Sequence, residues 1–297
     1  MKLRVWFLET RPQFLLLSLV LAFLGTSIAW KAGSFHLAHA ILAFAGLLLA
    51  HISVNVLNDY FDYRSGIDLE TRRTPFSGGS GILPAGLMKP KGVFWLGLGA
   101  FLLTIPIGAY FVFVRGWPLL PLLLVAAACI LLYTPVILKI RWAEWAAGLG
   151  LGTLPVLGAY FVQTSDYAFP AVIASIPSGI LVHNLLLLNE FPDIEADRKA
   201  GRKTLPIAMG TRSAGIFYIA MEILVYVWII GAVIAGMMPV FALLALLTAP
   251  FAVQAIRGAL KPQEVKRLIP GLGGNVLVVL LTQLLLGIGY ILAGIFS

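Results

Sequence analysis

The chain has 297 residues, 60% of them hydrophobic and only 11% charged, with a mean hydropathy of +0.96. That balance excludes a soluble globular domain and a disordered segment, and it fits an all-α polytopic membrane protein. The net charge of +8 requires no nucleic-acid partner, because its cations follow a membrane topology, and the lone Cys129 excludes an internal disulfide.

Apolar runs that approach the ~20 residues needed to cross hydrocarbon lie at 12–30, 35–58, 92–114, 117–138, 144–164, 167–189, 213–235, 238–256 and 272–296. They predict nine transmembrane helices in a single membrane-embedded domain over 1–297. The first run follows Arg11-Pro12, lacks a cleavage site and is too long for a signal peptide, so it is read as part of the fold. Orientation comes from the lysines and arginines. With the N-terminus in the cytoplasm, Lys2, Arg4 and Arg11 share a face with Arg64, Arg72, Arg73, Lys89 and Lys91 of the second connection. Lys139 and Arg141 follow on that face, then the cations between 198 and 212, then those between 257 and 267. Only Lys31 and Arg115 fall opposite, which predicts a multi-pass protein of the cell (plasma) membrane with its polar loops on the cytoplasmic side.

Two of those loops open on nearly the same words. Asn58-Asp59-Tyr60-Phe61-Asp62 ends the second run and Asn189-Glu190-Phe191-Pro192-Asp193 ends the sixth, an offset of 131 residues at both anchors. Arg72-Arg73-Thr74-Pro75 follows the first, and Arg202-Lys203-Thr204-Leu205-Pro206 follows the second. The duplication predicts two parallel four-helix repeats, at about 1–138 and 139–256, plus an extra helix at 272–296, packed around a central cavity. Between the first motif and the third run, Ser77-Gly78-Gly79-Ser80-Gly81 lacks the lysine ending and preceding strand of a phosphate loop; it reads as a linker or as a lid over the acids.

Asn58 and Asp62 are one helical turn apart, as are Asp193 and Asp197, and Asp68 lies beyond Gly66, where the backbone can turn. Pro192 removes a helix hydrogen bond just before Asp193 and predicts a break there. Carboxylates at the edge of hydrocarbon are costly without a partner. Carboxylate and amide oxygens suit a hard cation, and the sparse acids of each motif match Mg²⁺, which completes its shell with water and phosphate oxygens. The sequence lacks the Cys/His cluster that would favour zinc. Helix capping and pairing with nearby cations would account for one such motif, but less well for two in register. His51 and His183 lie inside runs two and six, and the simpler reading for each is a neutral imidazole bonded to a neighbouring helix. Glu222, inside run seven, is either functional or paired with Arg212 near the interface.

The motifs Asn58-Asp59-x-x-Asp62 with Asp68, and Asp193-x-x-x-Asp197, resemble the two aspartate-rich motifs of the UbiA superfamily of intramembrane prenyltransferases. The nine runs, Arg11-Pro12 and the segment from Tyr133 to Lys139 extend that resemblance along the chain. The stretches Asp62-Tyr63-Arg64-Ser65-Gly66-Ile67-Asp68 and Asn189 through Leu205 look most like the menaquinone-type branch, which prenylates 1,4-dihydroxy-2-naphthoate. Glu190 and Pro192 depart from that branch, whose second motif often has Asn and Arg there.

The resemblance implies Mg²⁺-dependent transfer of an isoprenyl chain from a polyprenyl diphosphate to an aromatic or lipid-like acceptor within the bilayer. It implies Asn58, Asp62, Asp68, Asp193 and Asp197 as ligands of two Mg²⁺ ions, with Tyr133 shielding the cation or donating to the diphosphate. Arg73, Lys139, Lys203, Asn58, Asn189 and Arg11 are the implied substrate contacts, Arg11 doubling as a candidate interfacial anchor, and Asn184 is a looser candidate. Prenylation of 4-hydroxybenzoate or of a glycerol-phosphate ether lipid precursor stays open. So does a secondary transporter, which would also have repeats and a broken helix.

Overall fold

The protein is described by a computed structural model covering residues 2–70, 74, 76 and 78–296. A short helix α1 (Lys2–Glu9) precedes α2 (Pro12–Lys31), α3 (Leu37–Ser65) and the single turn α4 (Ile67–Glu70). The chain continues through α5 (Pro90–Arg115), α6 (Leu119–Leu131), a 3₁₀ turn at Ile137–Lys139, α7 (Ala143–Gly148), a wide turn at Leu149–Thr153 and α8 (Leu154–Thr164). Then come α9 (Phe169–Asn189), α10 (Ile194–Lys199), α11 (Leu205–Met209), α12 (Thr211–Ile234), a 3₁₀ stretch at Val240–Thr248, α13 (Ala249–Leu260) and α14 (Val265–Phe296).

Among the described residues eight helical segments are long and apolar enough to cross a membrane, and the expected count of nine is not reached. The run at 117–138 gives only the 13-residue α6. At 1.5 Å per residue that is about 20 Å, against ~30 Å of hydrocarbon. Pro135 is the physical reason: it disfavours helix at the residue before it and cannot donate to the preceding turn. The last helix departs in the other direction, running through Pro270 from Val265 instead of starting at 272.

Helix α9 shows how proline is tolerated inside the bundle. Pro177 has no N–H, so the carbonyl of Ile173 one turn back loses its helical partner; the indole Nε1 of Trp228 on α12 donates to it at 3.0 Å. Small residues let the same helix lie close to its other neighbour. A Cβ added to Gly152 would stand 2.6 Å from the carbonyl oxygen of Ser178, so only glycine fits that crossing. The main core joins α2, α8, α9, α12, α13 and α14 around Leu21, Leu24, Val156, Leu181, Val225 and Leu286. Helices α3, α5 and α6 bury few of their residues, and the space between them and α8, α9 and α14 is a cavity of 1170 Å³.

Candidate active site

Both acidic motifs lie where a long helix stops. Asn58, Asp59 and Asp62 ride the last turns of α3, which ends at Gly66 with φ 82, a left-handed stop that favours glycine. The reversal brings α4, with Asp68, back towards the motif. In the second copy α9 ends at Asn189, the chain turns through Pro192, and α10 starts after Asp193, whose carbonyl accepts the Asp197 N–H at 2.8 Å. The expected break at Pro192 is therefore present. Gly201, at φ 74, then turns the chain so that the Arg202 N–H donates to the Asp197 carbonyl at 3.0 Å.

Arg202 joins the two copies. Its Nη1 donates to Asp197 Oδ1 at 2.8 Å and its Nη2 to Asp62 Oδ1, so one guanidinium forks between the two motifs. A second group gathers beside it. Arg11 Nη1 lies 3.6 Å from Asp59 Oδ1 and its guanidinium 4.8 Å over the Phe14 ring. Ser80 donates its N–H to Asp59 Oδ2 at 2.7 Å and its hydroxyl to Glu9 Oε2 at 2.8 Å. Gly79 (φ +69) passes so close that an added Cβ would sit 3.3 Å from carboxylate oxygens of both Asp59 and Asp68. The Gly-rich segment is thus held against the acids of α1, α3 and α4.

Crowding sets the electrostatics. Burial, and then Asp59, pushes the Glu9 carboxyl up to about 8. Burial and the Asp62 and Asp59 charges push Asp68 up to about 8. Asp197 is also raised, because burial outweighs its Arg202 partner. Glu190 is buried against Glu144, and burial followed by that neighbour's charge lifts it far above the usual carboxylate range. Tyr133 is likewise raised by burial, then by Glu190 and Glu144, which keeps its phenol protonated as a donor.

Two cavities meet at the motifs. The large one is lined by apolar side chains of α3, α5, α6, α8, α9 and α14 and reaches from Trp117 at one end to Arg11, Asn58, Tyr133 and Asn189 at the other. The small one, 370 Å³, is lined by Asp62, Arg64, Ser65, Thr134, Lys139 and Arg202, among others. Asn58 Nδ2 donates to Thr134 Oγ1 at 3.0 Å, so that bond joins the wall of one cavity to the wall of the other.

Of the residues expected from sequence, Asn58, Asp62, Asp68, Asp197, Tyr133 and Arg11 come together here. Asp193 stands partly exposed in the turn before α10. Lys139 lines the small cavity with an exposed side chain; Lys203 is exposed too, and its N–H donates to Leu138 O at 2.8 Å. Arg73 lies outside the described residues.

Asn184 is not at the site: its Nδ2 donates to Glu222 Oε2 at 2.9 Å inside the bundle. Glu222 is fully buried with that partner in place of Arg212. His51 bonds Ser18 Oγ on α2 at 2.9 Å, the simpler of its two readings, and His183 packs at a tilt against Trp145, 4.5 Å between ring centres. Sequence reasoning missed Glu9, Ser80 and Arg202 as site residues; Arg202 carried a signal in its place in the repeated basic element, and Ser80 in the Gly-rich stretch that reads as a linker or as a lid over the acids.

The donors at the site are oxygens, as a hard cation requires. Among the described residues no three Asp, Glu, His or Cys side chains form a ready metal cage. That agrees with Mg²⁺ chemistry, in which one or two carboxylates share the ion with water and phosphate oxygens. Glu9 Oε1 is buried with no hydrogen-bond partner, and a cation, Arg202, already stands between Asp62 and Asp197. The residues present therefore fit a divalent ion.

Residues 18–268 match the model of the UbiA prenyltransferase family. The 1,4-dihydroxy-2-naphthoate octaprenyltransferase of Bacillus subtilis is 34% identical over 256 residues, which is 84% of this chain and 80% of that protein. Among solved structures, a UbiA homologue from Aeropyrum pernix K1 superposes with a TM-score of 0.72 at 19% identity, covering 94% of this chain and 98% of the other. A UbiA homologue from Archaeoglobus fulgidus bound to GPP and Mg²⁺ gives 0.65 at 12% identity, covering 97% and 99%. The matched span contains both acidic motifs and Arg202, and the transporter reading falls away: the chain belongs to the UbiA prenyltransferase family.

Proposed function

We propose that this prenyltransferase moves a polyprenyl chain from its diphosphate to 1,4-dihydroxy-2-naphthoate or a closely related quinone precursor. The observation that carries the reading is the 1170 Å³ apolar cavity whose polar end, Asn58, Tyr133 and Asn189, stands beside both acidic motifs. The name of the Bacillus subtilis relative favours the naphthoate acceptor.

In this reading Asn58, Asp62, Asp68, Asp193 and Asp197 would hold two Mg²⁺ ions, and Arg73, Lys139 and Lys203 would contact the diphosphate oxygens. Bound Mg²⁺ supplies charge neutralisation to the leaving diphosphate. Tyr133, a neutral donor at the polar end of the cavity, would donate to the diphosphate or shield the allylic cation. The cavity walls exclude water from the allylic cation. The allylic C–O bond breaks with its electron pair on the diphosphate, a ring carbon of the acceptor forms the new C–C bond, and the ring then loses a proton or its carboxylate. The two four-helix halves would supply one motif each, both on the cytoplasmic side.

The test is turnover by purified protein in detergent with geranylgeranyl diphosphate, with and without Mg²⁺. The acceptors are 1,4-dihydroxy-2-naphthoate, 4-hydroxybenzoate and geranylgeranylglyceryl phosphate. Mg²⁺-dependent prenylation of the naphthoate alone is expected. Prenylation of either other acceptor in its place refutes the acceptor, and Mg²⁺-independent turnover refutes the metal assignment.

A further inference from the structure

We infer that Arg202 is a resident cation that holds the two aspartate motifs together until a metal ion arrives, and then turns to the diphosphate, so that metal and diphosphate bind cooperatively. The inference rests on the metal and diphosphate reading above.

The geometry is that of a stand-in. The guanidinium engages one carboxylate oxygen from each motif, Asp62 on α3 and Asp197 on α10, and these are two of the proposed metal ligands. A planar fork suits this bridging, where a lysine would offer one point charge. A Mg²⁺ ion takes carboxylate oxygens at about 2.1 Å and would compete for the same lone pairs. Ion and guanidinium therefore compete for Oδ1 of Asp62 and of Asp197.

The backbone allows the exchange. The Arg202 N–H is tied to the Asp197 carbonyl and the Lys203 N–H to the Leu138 carbonyl, so the loop stays in place while the side chain swings. The 370 Å³ cavity beside it offers somewhere to go. Arg202 is on its wall with Arg64 and Lys139, three cations against the single acid Asp62, and Ser65 and Thr134 supply hydroxyls. That lining suits a phosphate-type anion. Metal alone must evict a partly buried guanidinium that then lacks a partner. Metal with diphosphate gives it one. Coupling of this kind is reciprocal between the two ligands.

The experiment measures Mn²⁺ binding to the full-length protein in detergent, by electron paramagnetic resonance and calorimetry, with and without inorganic pyrophosphate. In the wild type, pyrophosphate should tighten Mn²⁺ by about tenfold or more, a usual size for such coupling. In Arg202→Gln, Mn²⁺ alone should bind several-fold tighter than in wild type, and the gain from pyrophosphate should shrink to about threefold or less. Arg202→Lys, which keeps the charge and loses the fork, should fall between, and it carries the test if the glutamine variant does not fold. A folded variant with wild-type Mn²⁺ affinity, or with undiminished coupling, overturns the inference alone. Wild-type protein that binds no Mn²⁺, with or without pyrophosphate, overturns the metal reading and this inference with it.

Discussion

Replacing Asn184 by leucine tests whether the inner polar network holds α9, and with it the second motif, in place. Asn184 Nδ2 donates to Glu222 Oε2 at 2.9 Å and to the Tyr218 carbonyl at 3.2 Å, while its own carbonyl accepts from Asn275 Nδ2 at 3.2 Å. The substitution removes the first two and spares the third. Glu222 Oε1 has no hydrogen-bond partner, so Asn184→Leu takes the amide donor from a wholly buried carboxyl that keeps the Tyr218 side chain beside it. A lost hydrogen bond to a carboxylate costs about 1.5–3 kcal/mol in soluble proteins. Interhelical bonds measured in membranes average about 0.6 and reach about 1.7 kcal/mol. The expected loss of unfolding free energy is therefore about 2 kcal/mol.

Glu222→Leu alone takes one acceptor from the Asn184 amide, which keeps the Tyr218 carbonyl, and should cost about 1–2 kcal/mol. The double variant removes both groups and should recover at least half of the summed loss, the signature of a coupled pair. Unfolding by SDS in mixed micelles, followed by far-ultraviolet circular dichroism, gives all four corners of the cycle. Additive costs, or a single variant as stable as wild type, would refute the network as an anchor of α9.

Asp62→Ala and Asp193→Ala should each abolish transfer while leaving the protein folded and membrane-inserted; normal turnover in either would remove that residue from the metal set. Leu123→Trp on the cavity wall should cut turnover of the longest prenyl diphosphates while sparing a ten-carbon one, and equal loss for both would mean the chain does not lie there. Glu9 and Asp68 keep their protons up to about pH 8 in the metal-free protein. A raised carboxyl stabilises the fold below its unfolded pKa, and that stability is lost as pH climbs through the folded value. The melting temperature without divalent cations should therefore fall between about pH 5 and 8, and Glu9→Gln should flatten the fall; a flat wild-type profile contradicts it.

The duplicated motif was readable because its parts are local: four residues along one helix place Asn58 and Asp62 on one face whatever the rest of the chain does. The break at Pro192 was readable for the same reason. The helix in the apolar run at 117–138 is shorter than that run because hydropathy does not register the proline beyond α6. Arg202 was passed over in favour of Lys203, since adjacent residues of a loop look alike until Gly201 decides which one turns inward. Glu9 gave no signal at all: its burial depends on Asp59 and Ser80, 50 and 71 positions away. Residues that come from one motif announce themselves, whereas residues that complete a site from a distant segment do not.

The brevity of α6 reaches beyond topology. Trp117, Leu124 and Phe113 line the large cavity and yet are 73%, 61% and 91% exposed, so its wall at α5 and α6 is also the outer face of the bundle. The prenyl chain of the proposed substrate would then pass between protein and bilayer sideways, without crossing water. The effective substrate concentration is then a mole fraction in a two-dimensional solvent. Inert detergent added at constant bulk substrate would slow the enzyme by surface dilution alone, and a Michaelis constant for it has meaning only per mole of lipid.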